Sequence, residues 1–398
     1  MLKRLNISLH VFALLAILLI PAANKLFTFQ DEVATFLFGD LVEALGYNHH
    51  QFSSDTFALN ILLLLLLLLS FVIGFSIAGW SKWQKHSAKI IALIRLIMIY
   101  YLASRLLIYG FDKLFKTQFY QPEPNTLYTP FGQMSKDILF WSTMGTSRAY
   151  SIITGLLEIL PALLLLHKKT RTAGLLITIF VMVNVMAINF GFDISVKLYS
   201  LFLTFLAVLL LWPSLAPLFQ FFAGKQAQLK EEGKTFEFFY KPFIKGSLKS
   251  MFIGLMLLEA TFFALTTGNF NDDTADRPAF HGAYEYDVLG AMDRYNEVKR
   301  FFIHRRGFII FETYEGDFID YKLEIDHSRN RFVCTDYTGE VNEMAYKLYN
   351  EGERMDVEMS LIGWNYSVWM TFQKLDHESL PALQDEFHWT IDSFLEEN

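Results

Sequence analysis

A single cysteine, Cys334, occurs in the 398-residue chain, so an intramolecular disulfide and any metal or redox motif built on a cysteine pair are excluded. A lone thiol at a strand-like position reads as a small core residue. Charge is scarce too: 19% of residues are charged against 53% hydrophobic, and the mean hydropathy is +0.29. That balance is too apolar for a soluble protein of this size and too charged for one lying wholly in lipid, which implies a hybrid. No basic face suits nucleic acid. The net charge of -7 is unevenly placed, with Asp and Glu gathering from about Asn269 onward and Lys and Arg clustering between apolar runs before it.

A helix needs about 20 apolar residues to cross the hydrocarbon of a bilayer. By that length the sequence predicts seven spans: Ile7 to Ala23, Thr56 to Trp80, Lys89 to Phe111, Ala149 to Leu166, Thr172 to Phe190, Ser195 to Leu218 and Ser250 to Thr267. The first has the basic start and following small residues of a signal peptide, but an uncleaved helix is preferred because the charge pattern needs it. The last is the weakest, with Glu259 in its middle.

Short cytoplasmic connectors should hold the excess of Lys and Arg. Every alternate connector does so: Lys3 and Arg4; Lys82, Lys85 and Lys89; Lys168, Lys169 and Arg171; and the lysines from Lys225 to Lys249. The others, Asp31 to Asp55 and the Pro-bearing Gln121 to Ser147, are longer and mixed or acidic. The pattern places the N-terminus in the cytoplasm and the C-terminal domain outside it, in the periplasm of a bacterial inner membrane. Gln228 to Gly246, where Lys and Glu interleave with Phe236, Phe238, Phe239, Tyr240 and Phe243, reads as an interfacial amphipathic stretch.

From Phe280 onward the hydrophobic period shifts to two, with turn residues at Arg306-Gly307, Glu315-Gly316-Asp317, Ser328-Arg329-Asn330, Thr338-Gly339-Glu340 and Asn350-Glu351-Gly352. That is a meander of hairpins. Its predicted strands are Val298 to His304, Phe308 to Thr313, Phe318 to Ile325, Arg331 to Thr335, Met344 to Tyr349, Met355 to Leu361 and Tyr366 to Gln373. Leu383, Phe387, Ile391, Phe394 and Leu395 then fall at helical spacing, predicting a closing amphipathic helix. Such a sheet can curl into a half-barrel or small lipocalin-like barrel holding an apolar ligand; the plainer reading, put ahead of it, is a packed sheet that only contacts a partner. The domains expected are residues 1–86 (two N-terminal spans and an outer loop), 87–220 (a four-helix module), 221–268 (the amphipathic stretch and seventh span) and 269–398 (the outer β-rich domain).

Ionisable side chains inside a span are costly and usually face a bundle interior, so they are the best functional pointers here. Arg105, Tyr109 and Lys113 recur at i, i+4 and i+8 on one face of the third span. Lys113 has the length to snorkel to the outer surface, and Glu158 in the fourth span is placed about one turn below Arg105, within reach of its guanidinium. Asn184, Asn189, Asp193 and Lys197 add polar groups in the fifth span and at the start of the sixth. The expectation is a pocket formed by Arg105, Tyr109, Lys113, Glu158, Asn184, Asn189 and Lys197 in the outer half of the bilayer, set against a purely structural Arg105–Glu158 pair with asparagines as interhelical glue. Gly155, one turn before Glu158, permits close backbone approach, and Pro161 after it removes one helical hydrogen bond. Arg95 and Glu259 suggest a second, structural pair. His49-His50 are adjacent and point to different faces of a helix, which argues against a metal or haem pair, and His10 reads as a packed histidine. No metal site is expected.

Lys89 to Pro213 resembles the DoxX/DoxD-type four-helix membrane module. The resemblance rests on Arg105 with Tyr109-Gly110-Phe111-Asp112-Lys113, on Gly155-Leu156-Leu157-Glu158, on Arg171-Thr172-Ala173-Gly174, and on Asn184 and Asn189. It covers about a third of the chain and implies a bacterial cytoplasmic-membrane protein of a group loosely linked to quinone-coupled oxidation of sulfur compounds and to membrane redox or stress complexes. The additional helices and outer domain look like the longer build of Bacteroidetes-type relatives. The function expected is binding of a lipophilic small molecule, quinone-like, within a redox or envelope complex. The alternative is a membrane scaffold whose residues 269–398 bind another envelope protein; a transporter is the weaker third reading, and whether the chain turns over a substrate stays open.

Overall fold

The computed structural model describes residues 1–21, 29–47, 52–226, 242–287, 298–349, 353–360 and 367–384. The chain divides into two units, Met1–Phe119 with Arg148–Asn271, and Tyr120–Ser147 with Asp272–Asn398. The 120–147 segment, a connector between two spans by sequence, thus belongs to the same unit as the tail.

Among the described residues the first unit contains α1 (Leu2–Leu19), α2 (Phe29–Ala44), α3 (Phe57–Ala78), α4 (Ser81–Leu114), α7 (Arg148–Leu166), α8 (Arg171–Gly191), α9 (Lys197–Phe222) and α10 (Pro242–Thr267), with α5 (Pro124–Tyr128) and α6 (Lys136–Thr146) in the second. Seven helices are long and apolar enough to cross a membrane, as the hydropathy reading predicts. α2 was not anticipated: its acidic residues Asp31, Glu32, Asp40 and Glu43 break the apolar run. α4 starts eight residues before the predicted span because its polar first turns continue the helix beyond the apolar stretch.

Helix ends and prolines leave backbone carbonyls without partners, and in an apolar bundle each must be satisfied internally. At the α7–α8 turn, Thr170 Oγ1 donates to the Leu164 carbonyl at 2.8 Å and Arg171 Nε to that of Leu165 at 3.1 Å. In α9, Pro213 has no N–H to offer the carbonyl of Leu209. Arg95 of α4 reaches this gap, with Nη1 3.4 Å from Leu209 O and Nη2 2.7 Å from Leu210 O. Two helix pairs cross at glycine: a Cβ on Gly155 would lie 2.6 Å from Gly110 O, and one on Gly74 would lie 2.8 Å from Ser8 Cα.

In the second unit, β1 (Gly282–Tyr286), β2 (Val298–His304), β3 (Phe308–Thr313), β4 (Phe318–Asp326), β5 (Arg331–Thr335), β6 (Val341–Tyr349), β7 (Arg354–Ser360) and β8 (Ser367–Leu375) pair in sequence order. Every neighbour is antiparallel, and β1 also pairs with β8, so the meander closes into a barrel rather than remaining an open packed sheet. Closure depends on β1, a strand absent from the sequence prediction. Its five residues, Gly282-Ala283-Tyr284-Glu285-Tyr286, carry too few alternations to register as a strand.

Apolar side chains line the barrel interior. Phe301 and Ile303, Ile309 and Phe311, Phe332 and Cys334, Met355 and Val357, and Met370 and Phe372 point inward at period two. Tyr284 stacks on Phe301 at 4.7 Å and Phe332 on Tyr346 at 4.6 Å. An eight-stranded barrel has an interior just wide enough for such side chains or for one small ligand. β2 is buried on its outer face as well, where Phe302 lies beneath Tyr128 of α5 at 6.0 Å. The predicted C-terminal helix beyond Gln384 lies outside the described residues, as do residues 228–241 of the amphipathic stretch and His49-His50.

Candidate functional site

Four residues of α4, Tyr101, Arg105, Tyr109 and Lys113, recur every fourth position and so form one ridge about 18 Å long. Lys113 Nζ lies 2.8 Å from Glu158 Oε2 of α7, and both side chains are buried. The pairing differs from the expected Arg105–Glu158 contact. A helical side chain leans toward its own N-terminus, so Lys113 folds back along α4. The Gly110–Gly155 crossing brings the two backbones close enough for it to arrive at Glu158.

Aromatic rings surround this pair, with Lys113 Nζ 5.8 Å from the Tyr109 ring and 5.4 Å from the Phe119 ring. Two turns away, Arg105 stands over the Tyr101 ring at 5.3 Å. The Tyr101 hydroxyl lies 2.9 Å from the Tyr199 hydroxyl of α9, and Tyr199 also meets Tyr109 edge-on at 6.4 Å. Three helices therefore supply one continuous polar and aromatic stripe: α4 carries the cations, α7 the carboxylate, and α9 a phenol.

The remaining predicted site residues have contacts of their own. Lys197 pairs with Asp193 at 2.7 Å and with Asp55 at 3.8 Å. Asp55 in turn accepts the N–H groups of Lys197 and Leu198 at 2.7 and 2.9 Å, capping α9. Asn189 is buried at the end of α8, where its carbonyl accepts from Ile194 N at 2.9 Å. Asn184 is exposed on α8. Tyr101 and Tyr199 were missed from the sequence; Tyr101 continues the i+4 ridge one step back, whereas Tyr199 carries no such signal. His10 is packed, with Nδ1 2.8 Å from its own helix's Asn6 carbonyl.

A second cluster lies in the barrel unit. Glu123, almost wholly buried just before α5, accepts from Arg305 Nε, from the Arg305 backbone N–H at 3.0 Å and from His281 Nε2 at 3.1 Å, with His304 Nε2 at 3.7 Å. Burial alone would raise its pKa, but the His281 hydrogen bond, the Arg305 charge and amide, and His304 outweigh it and hold the carboxyl at about 2. Arg305 also pairs with Asp272, which Arg277 approaches at 3.4 Å. A polar cavity of about 220 Å³ opens beside it, lined by Gln121, Arg277, His281, Arg305 and His377 among others. Burial lowers the pKa of His304, and burial followed by the neighbouring His281 lowers that of His377. Among the described residues no three His, Cys, Asp or Glu side chains gather closely enough to hold a metal ion. Cys334, inside the barrel, is the small core residue expected, and burial pushes its thiol up to about 12.

No protein-family model matches the chain, and no solved structure matches it at a significant level. It is similar to a Bacillus subtilis (strain 168) protein described as the uncharacterized protein YwoB, with 33% identity over 112 residues. That match spans 28% of this chain and 71% of the relative.

Proposed function

The chain belongs to the family of the uncharacterized protein YwoB, and we propose that it is a cytoplasmic-membrane protein binding a lipophilic, quinone-like molecule along the α4–α7–α9 stripe. The reading rests on one observation: Lys113 and Glu158 are paired and buried beside three tyrosines and Arg105 from three helices. Tyrosine hydroxyls and a guanidinium donate hydrogen bonds to a carbonyl, aromatic faces stack on a flat ring, and a buried Lys–Glu pair relays a proton; that set suits a quinone head group. The resemblance of Lys89 to Pro213 to a DoxX-type module supports the same direction. The alternating basic connectors support a cytoplasmic N-terminus and a periplasmic barrel.

The test is photolabelling of the protein in nanodiscs with a photoreactive quinone. Label is expected on the α4 peptide containing Tyr101 to Lys113, displaced by unlabelled quinone. Tyr101→Phe removes one hydroxyl and should weaken binding by about tenfold, the worth of one good hydrogen bond. Unchanged affinity in Tyr101→Phe and in Arg105→Leu would sink the reading.

A second reading is favoured by apolar side chains outside the barrel core, where Tyr337, Val341 and Trp369 are exposed. The protein would then be a scaffold whose residues 269–398 hold another envelope protein. A stoichiometric partner that co-purifies in mild detergent and is lost on deleting residues 280–398 would support it; one retained after that deletion would dismiss it.

A further inference from the structure

We propose that α2 is a membrane-surface helix that lies flat at the lipid boundary and inserts one apolar shoulder among the acyl chains of uncharged phospholipid. The position of its ends comes first. Gln30 Nε2, in the first turn of α2, donates to the carbonyl of Ile17 at 3.0 Å, which lies in the last turn of α1. At the other end, Tyr47, three residues beyond α2, stacks on Phe57, the first residue of α3, with ring centroids 3.8 Å apart. Asp31 Oδ1 meanwhile accepts from Phe52 N at 3.2 Å, on the approach to α3. Both ends of α2 are therefore held at the level where two membrane-length helices terminate. A helix of 16 residues is about 24 Å long, and if it stood upright neither Tyr47 nor Phe57 has the reach to close that distance. It must lie across the boundary.

The faces of the helix say what it lies on. At 100° per residue, Ala34, Phe38 and Val42 fall on one arc, and Ala34 and Val42 are fully buried against the bundle. The adjoining arc carries Leu37, Leu41 and Leu45 at i, i+4 and i+8, which are 52%, 43% and 52% exposed. Glu32, Asp40 and Glu43 occupy the opposite arc, where Phe36, 87% exposed, stands among them. Exposed leucines beside a packed face, with carboxylates opposite, form an arrangement that meets lipid on one shoulder and water on the other. α2 contains no Lys or Arg, so anionic head groups would be repelled and the attraction is apolar burial alone.

Cysteine probes test this in the full chain, because the native Cys334 is buried in the barrel and serves as an unlabelled background. Leu41→Cys, Asp40→Cys and, as a reference on α3, Leu68→Cys are labelled with bimane and reconstituted into phosphatidylcholine vesicles containing brominated lipid. The probe at position 41 is expected to lose about half or more of its emission to the brominated chains, as at position 68, and to resist aqueous iodide. The probe at 40 should show the reverse. Iodide quenching at 41 equal to that at 40 overturns the proposal, and so does oxidative cross-linking of Leu41→Cys into dimers, which would assign the leucines to a second copy of the chain.

Discussion

Glu158 receives its hydrogen bond from Lys113, which starts two helical turns beyond Arg105 on the same face of α4. The consequence is an asymmetry between single and double substitutions. Removing either partner strands the other as an unpaired buried charge, a cost of about 3–5 kcal/mol. Replacing both with apolar groups of similar volume removes the desolvation penalty along with the attraction. Lys113→Met or Glu158→Leu alone should therefore lower the unfolding temperature in detergent markedly, while the double variant should recover most of the loss. If the double variant keeps the fold but no longer takes up photoreactive quinone, the pair serves the ligand as well as the packing.

The α4–α7 contact depends on two glycines. A Cβ on Gly155 would stand 2.6 Å from Gly110 O and 3.2 Å from Leu114 N, both backbone atoms that have no rotamer to change. Gly155→Ala should cost about 1–3 kcal/mol through forced separation of the helices. Gly191→Ala, at the end of α8 with no atom within 4 Å of the added Cβ, is the matched control and should leave thermal stability unchanged.

Arg95 and Pro213 are coupled through a carbonyl. Arg95→Leu leaves the oxygens of Leu209 and Leu210 without their guanidinium partner in an apolar bundle, at about 1–3 kcal/mol. Pro213→Ala restores an N–H to Leu209, so the same Arg95 substitution should cost less in that background. Equal costs in the two backgrounds, measured by chemical unfolding in detergent, would show that the arginine does not compensate the proline.

Acid should weaken the barrel unit in two stages of the same sign. His304 and His377 have folded pKa values depressed below 6.5, so the unfolded chain binds more protons there and stability falls as the pH drops below 6.5. Glu123, depressed from 4.5 to about 2, contributes stability that is present in full above 4.5 and is lost as the pH falls toward 2. The Glu123 contribution is about 3 kcal/mol at neutral pH. Near-ultraviolet circular dichroism of the full protein should show Glu123→Gln already weakened at pH 7, with the loss below pH 4.5 flattened relative to wild type. An unaltered acid profile in that variant would remove Glu123 from the account.

Seven long apolar helices and seven of the eight strands are legible in the residues alone, down to Val298–His304, Phe308–Thr313 and Arg331–Thr335, whose limits are reproduced residue for residue. Those features are written in local periodicity and length, because lipid and a half-buried sheet each impose a pattern on consecutive residues. Which partners meet is set by packing between segments far apart in the chain. Lys113 rather than Arg105 reaches Glu158 because a glycine crossing sets the stagger of two helices, and a crossing is a property of the pair. β1 became a strand because β2 and β8 each offered it an edge, and that pairing turned an open meander into a closed barrel. Glu123 drew the 120–147 connector into the barrel unit through Arg305, a residue 182 positions away, and contacts at that separation leave no trace in the neighbouring sequence.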